Sequence, residues 1–150
     1  MISKKPEGCV FCLSAAASAD AELVIHHGQL AYVILNLYPY NNGHLMVVPY
    51  RHESSLAALT HEEMNEVGLL TQLGEKALRE AYQLEGINVG VNLGRPAGAG
   101  IEEHVHLHMV PRWNGDTNFM TVVGRTRVLP EEIAAAAARL RPIFRRLATA

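Results

Sequence analysis

The chain has 150 residues, 49% of them hydrophobic, which is enough for one domain with its own core. A formal net charge of −2 excludes holding nucleic acid by bulk phosphate neutralisation, although a few placed donors can still hold a small nucleotide. No apolar run approaches the roughly 20 residues that span a bilayer, and Met1 to Pro6 has no apolar stretch behind its lysines, so a cytoplasmic protein without membrane contact is expected.

The first element is Cys9-Val10-Phe11-Cys12, followed by an Ala/Ser-rich stretch, predicted as a small knuckle and a loop over residues 1–20. These are the only two cysteines, and in a reducing compartment a structural disulfide is not expected. Their CxxC spacing fits zinc and is also compatible with a redox pair. Residues 23–26 and 30–36 read as strands around a turn at His27-Gly28. Pro39 to Gly43 carries the Asn-Gly turn signal, and His44 to Pro49 is the next strand. Thr60-His61-Glu62-Glu63 is a capping box. It opens a helix that runs to about Tyr82, with Met64, Val67, Leu70, Ala77, Leu78 and Ala81 at helical spacing.

Ile87 to Asn92 is a further strand, and Gly94 to Gly100 a Gly/Ala-rich loop. Pro130 suits the first turn of a C-terminal helix, with Glu131 and Glu132 near its positive end, and Pro142 is expected to kink or restart that helix. Several strands in succession with two separated helices give an α+β class with a mainly antiparallel sheet.

The most informative run is His104-Val105-His106-Leu107-His108-Met109-Val110. Its apolar residues read as a strand, in which positions two apart share a face about 6.6 to 7 Å from one another. Three imidazoles are then aligned while Val105, Leu107 and Met109 pack into a core. Imidazoles in a row fill or solvate a strand face poorly. They suit a metal site, or nucleophilic and acid–base chemistry.

This pattern resembles the histidine triad (HIT) superfamily, whose signature is three histidines alternating with apolar residues. The resemblance extends to Asn41-Asn42-Gly43-His44 with the strand ending at Pro49, to Asn92-Leu93-Gly94-Arg95 and Ala97 to Gly100, and to Pro111-Arg112-Trp113. With Gly115 to Met120 added, the set looks like a bacterial branch similar to diadenosine tetraphosphate phosphorylases. The resemblance implies a HIT-like α+β fold with two main helices, dimeric and possibly paired into tetramers. The helix from Thr60 to Tyr82, with Leu70 and Leu73, either supplies much of the dimer interface or simply packs on its own sheet. Residues 1–150 are expected to form a single HIT-like domain: knuckle and loop at 1–20, catalytic core at 21–113, and C-terminal extension and helix at 114–150.

The resemblance also implies roles. His106 is the nucleophile, attacking the α-phosphorus of a nucleotide to form a nucleotidyl-histidine. His108 hydrogen-bonds a phosphate oxygen or leaving group, with His104 and His44 supporting them. Asn36 binds ribose hydroxyls. Asn92 and the backbone of Gly98 and Gly100 meet phosphate, and Arg112 is a candidate phosphate clamp. Leu35 and Ile25 are candidates for the base pocket. The family's Gln and Ser/Thr before the triad are here Gly100 and Ile101, which removes one hydroxyl contact to phosphate and favours the phosphorylase-like branch. Relatives complete a structural zinc site with two histidines, which correspond here to His52 and His104 beside Cys9 and Cys12. The implied reaction is phosphorolysis of diadenosine tetraphosphate to ADP and ATP, with inorganic phosphate as acceptor and no organic cofactor. The alternatives are a dinucleoside polyphosphate hydrolase, a nucleoside phosphoramidase, three histidines around a catalytic metal, and a nucleotide-sensing or interaction module.

Overall fold

The computed structural model describes residues 8–16, 23–116 and 131–149. Among them, five strands form one sheet: β1 (Val24–His27), β2 (Ala31–Leu35), β3 (Leu45–Pro49), β4 (Gly86–Val91) and β5 (Leu107–Arg112). The order is β1-β2-β3-β5-β4, and every neighbouring pair is antiparallel. Three helices accompany the sheet: α1 (Val10–Ala16), α2 (His61–Ala81) and α3 (Ile133–Ala148). The α+β class and antiparallel sheet are those expected from the sequence. The segment expected to be a small knuckle and loop contains the short helix α1 at Val10–Ala16.

Side-chain alternation sorts the sheet into two layers. Ala31, Val33, Leu35, Leu45, Val47 and Met109 face α2 and α3, where they join Val67, Leu70, Leu78, Leu140 and Phe144. Tyr32, Ile34, Met46 and Val48 face the other way, toward α1 and its Cys9, Phe11 and Cys12. Each fully buried Leu, Val or Phe of the helical layer contributes about 1.5–3 kcal/mol. Helix α2 starts as the capping box predicts: the Thr60 hydroxyl accepts from the Glu63 N–H, and the Glu63 carboxylate accepts from the Thr60 N–H. Gly74 lets α2 approach β5, since a Cβ there would lie 2.7 Å from the Met109 sulfur. Leu70 is buried in this layer and Leu73 packs against it, so both serve the chain's own core.

Two local expectations change. The ladder of β5 begins at Leu107, not His104. Continuing the register past the Val47–Leu107 pair would set Val105 opposite Pro49, which has no N–H to offer. The Val105 N–H donates instead to the Glu53 carbonyl at 2.7 Å. His104, Val105 and His106 are all buried. Helix α3 passes through Pro142 as one helix, with Pro142 exposed and Ala136, Ala137, Leu140 and Phe144 packed on the opposite side. Pro130 and residues 117–120 lie outside the described residues. No described helix is long and apolar enough to cross a membrane.

Candidate active site and metal cluster

The imidazoles meet on the α1 face of the sheet. His108 on β5 pairs in register with Met46 on β3, two residues after His44. The ring of His108 packs 4.7 Å from His106 and 5.1 Å from His44. His44 is fully buried and follows a turn that is held from several directions. Gly43 has φ +78°, and a Cβ there would lie 2.8 Å from the Tyr82 ring. Asn41 donates to the Pro111 carbonyl and to Asp116, and the Glu131 N–H donates to the Asn42 side chain.

Backbone groups fix the tautomers. A main-chain N–H only donates and a carbonyl only accepts. The Tyr40 N–H donates to His44 Nδ1 at 3.2 Å, so the His44 proton sits on Nε2. That Nε2–H donates to His108 Nδ1 at 2.9 Å, which leaves the His108 proton on its own Nε2. His106 donates from Nδ1 to the His104 carbonyl at 2.9 Å, so its Nε2 carries a lone pair. His104 donates from Nε2 to the Pro49 carbonyl at 2.8 Å, so its Nδ1 is the electron-pair donor.

The rings are also held neutral. Burial pushes His44 down to about 4, helped by the neighbouring His108 and His106. Burial and the neighbouring His106 push His108 down to about 4. Burial lowers His106 as well, partly opposed by its bond to the His104 carbonyl. A row of neutral imidazoles with defined lone pairs presents one nucleophilic nitrogen and one N–H donor side by side.

A second cluster adjoins the first through His104. Cys9 Sγ lies 3.4 Å and Cys12 Sγ 3.7 Å from His104 Nδ1, and Cys12 Sγ lies 3.5 Å from His52 Nδ1. All four donor atoms fall within 4.8 Å of one another. A tetrahedral zinc with ordinary Zn–S and Zn–N bonds sets its sulfur and nitrogen donors roughly 3.6 Å apart. The residues fit the ion, and the bond from His104 Nε2 to Pro49 aims the correct nitrogen at it. Cys9, Cys12, His52 and His104 thus form a Cys₂His₂ cluster able to bind a metal.

The other expected site residues fare differently. Asn36 Nδ2 lies 3.5 Å from His44 Nε2, and its Oδ1 accepts from the Tyr38 N–H. Asn92 Nδ2 reaches the Gly98 carbonyl at 3.5 Å. The N–H groups of Ala97, Gly98 and Ala99 turn inward to the carbonyls of Gly94 and Arg95, so the Gly98 N–H is taken up within the loop. Arg112 spends its fork on Asp116 and Asn88, at 3.0 and 2.7 Å, rather than presenting it for a phosphate. Leu35 and Ile25, expected in the base pocket, belong to the helical layer, on the face opposite the histidines. A residue that the sequence reading overlooked is Phe11, whose ring lies 4.7 Å from that of His106. Its position between the two cysteines was the available signal.

Comparison with known proteins places these features. A family model described as HIT domain matches residues 18–115. Over 114 residues the chain is 48% identical to an AP-4-A phosphorylase of Mycobacterium tuberculosis, a match covering 76% of this chain and 58% of that protein. The chain therefore spans little more than half the length of that relative. It is 33% identical over 84 residues to a bis(5'-adenosyl)-triphosphatase of Dictyostelium discoideum, covering 56% of each. A Zn-bound histidine triad family protein from Mycobacterium smegmatis superposes with a TM-score of 0.76 at 28% identity, covering 95% of this chain and 97% of that one.

Proposed function

The chain belongs to the HIT domain family, and from that premise we propose that it cleaves dinucleoside polyphosphates, diadenosine tetraphosphate first among them, through a nucleotidyl group carried on His106. The observation that carries this reading is the run of backbone-fixed tautomers, which leaves His106 Nε2 with a lone pair beside the N–H of His108. In the first step Nε2 of His106 attacks the α-phosphorus, and the bond to the bridging oxygen breaks. ATP leaves with that electron pair, and His108 Nε2–H hydrogen-bonds the departing oxygen. The adduct places positive charge on the His106 ring, and the His104 carbonyl accepting from Nδ1–H stabilises it. Inorganic phosphate then attacks the same phosphorus, the P–N bond breaks, and ADP leaves with His106 restored.

His44 sets the tautomer of His108, and Asn36, at the end of β2 beside His44, is the ribose contact. Asn92 and the Gly100 N–H border the phosphates; Arg112 holds the loop after β5 instead. We assign the Cys₂His₂ cluster to a structural zinc, which when bound cross-links the N-terminal helix to the triad segment. Reduced thiols suit a cytoplasmic setting. We read the chain as one domain and as a homodimer in which β4, an edge strand with Val89 exposed, continues the sheet into a second copy. Sedimentation of the purified chain as a monomer at micromolar concentration is the outcome that removes the dimer.

The test of the activity is chromatographic product analysis of diadenosine tetraphosphate turnover with and without inorganic phosphate. ADP plus ATP, formed only with phosphate, is the expected result. AMP plus ATP regardless of phosphate replaces it with hydrolysis, a second reading favoured by the similarity to a triphosphatase.

A further inference from the structure

We propose that Phe11 is a positioning residue that couples the Cys9–Cys12 helix to the orientation of His106, resting on the assignment of His106 as the nucleophile made above. His106 has one recorded ring hydrogen bond among the described residues, from Nδ1 to the His104 carbonyl. One bond fixes the tautomer but leaves the ring free to tip about it. The remaining restraint is packing, and two rings supply it. One is His108, and the other is Phe11, whose centroid lies 4.7 Å from that of His106 at 46°.

Phe11 is itself held. It is buried, and it also packs 5.5 Å from the His104 ring. Its carbonyl accepts from the Tyr32 hydroxyl at 2.7 Å, which ties it to the sheet. In sequence it sits between Cys9 and Cys12, whose sulfurs both reach His104. An apolar ring is the right chemistry here, because it restrains His106 without competing for Nδ1–H or for the Nε2 lone pair. The cluster therefore acts on the nucleophile twice. His104 gives a side chain to the cluster and a carbonyl to His106, and Phe11 follows the two thiols. A metal held by those thiols would lock both restraints together. In-line attack tolerates little misplacement, so loosening either restraint slows the chemical step rather than binding.

The experiment compares the wild-type chain with Phe11→Ala and Phe11→Leu. Metal content is measured by elemental mass spectrometry, kcat and KM by steady-state kinetics, and the His106 ring by its ¹⁵N resonances. In metal-loaded Phe11→Ala, kcat is expected to fall roughly ten- to a hundredfold while KM changes by less than about threefold. Its His106 ¹⁵N signals are expected to shift and broaden as the ring samples more than one orientation, and Phe11→Leu to recover part of both effects. Chelating the metal from the wild type is expected to shift the same signals without any nucleotide present. A metal-loaded Phe11→Ala chain with wild-type kcat and unchanged His106 signals overturns the proposal. If Phe11→Ala fails to fold or to hold metal, Phe11→Leu decides in the same way. The ¹⁵N comparison stands even if the chain turns over no dinucleoside polyphosphate, so failure of the activity and failure of the coupling are read separately.

Discussion

Nε2 of His44 lies 2.9 Å from Nδ1 of His108, and the N–H of Tyr40 on the far side of His44 decides which of the two donates. A main-chain donor in a turn thus sets the proton two rings away. The turn before β3 is part of the site, since its Tyr40 N–H sets the His44 tautomer and its Asn41 side chain donates to the Pro111 carbonyl on β5.

Both rings are held near 4 by burial, well below the ordinary histidine value. Between about pH 6.5 and 4 the unfolded chain therefore binds more protons than the folded one, and stability rises with pH across that window. Full stability is expected above about pH 6.5, with a progressive loss on acidification to 4, on the order of 3 kcal/mol for the fully buried His44 alone. Denaturant midpoints measured at a series of pH values check this. His44→Asn, which removes the group, should flatten the slope, and an unchanged slope would count against the assignment.

His106→Asn should remove the nucleophile and little else. Turnover is expected to fall by on the order of 10³-fold or more, with nucleotide affinity kept within a few-fold. Rapid quench with labelled dinucleotide should trap a nucleotidyl adduct on the wild-type chain and none on the variant. An adduct that persists in the variant would falsify the role of His106.

Gly43→Ala meets two obstacles, a positive φ and the Tyr82 ring 2.8 Å from the new Cβ. A loss of about 1–3 kcal/mol in folding stability is expected. Because the turn carries the Tyr40 N–H, kcat should fall as well. Gly86→Ala, where a Cβ would meet nothing within 4 Å, is the control and should leave kcat alone.

Metal removal should lower the melting temperature, because a ligand held only by the folded chain stabilises it by mass action. Elemental analysis is expected to find one zinc per chain, and Cys12→Ser to lose it together with thermal stability. A chain purified without metal that melts at the same temperature as one reconstituted with zinc argues against the structural assignment.

Arg112→Ala should cost stability without raising KM, since its guanidinium binds Asp116 and Asn88. A KM increase of tenfold or more, with an unchanged melting temperature, would restore it as a phosphate contact.

Elements with a local physical cause were legible in the amino-acid order. Thr60 and Glu63 start α2 through hydrogen bonds that span three residues, and the Asn-Gly turn before His44 needs only glycine's positive φ. The alternating pattern marked the strands to within a residue or so, except where Pro49 withholds an N–H from the opposite strand and delays β5 to Leu107. Likewise the residue types of the two clusters, thiols and imidazoles at telling spacings, were legible as candidate metal-binding and acid–base groups. What the order could not decide depends on contacts between distant segments. Leu35 and Ile25 joined the helical layer because the face that α2 covers is chosen by packing. The fork of Arg112 was claimed by Asn88, twenty-four positions away. Phe11 reaches His106 only once α1 folds over the sheet. The proton on each imidazole is likewise set by a carbonyl or an N–H brought in from outside its ring. Sequence placed the imidazoles, and tertiary structure chose which nitrogen of each carries the proton.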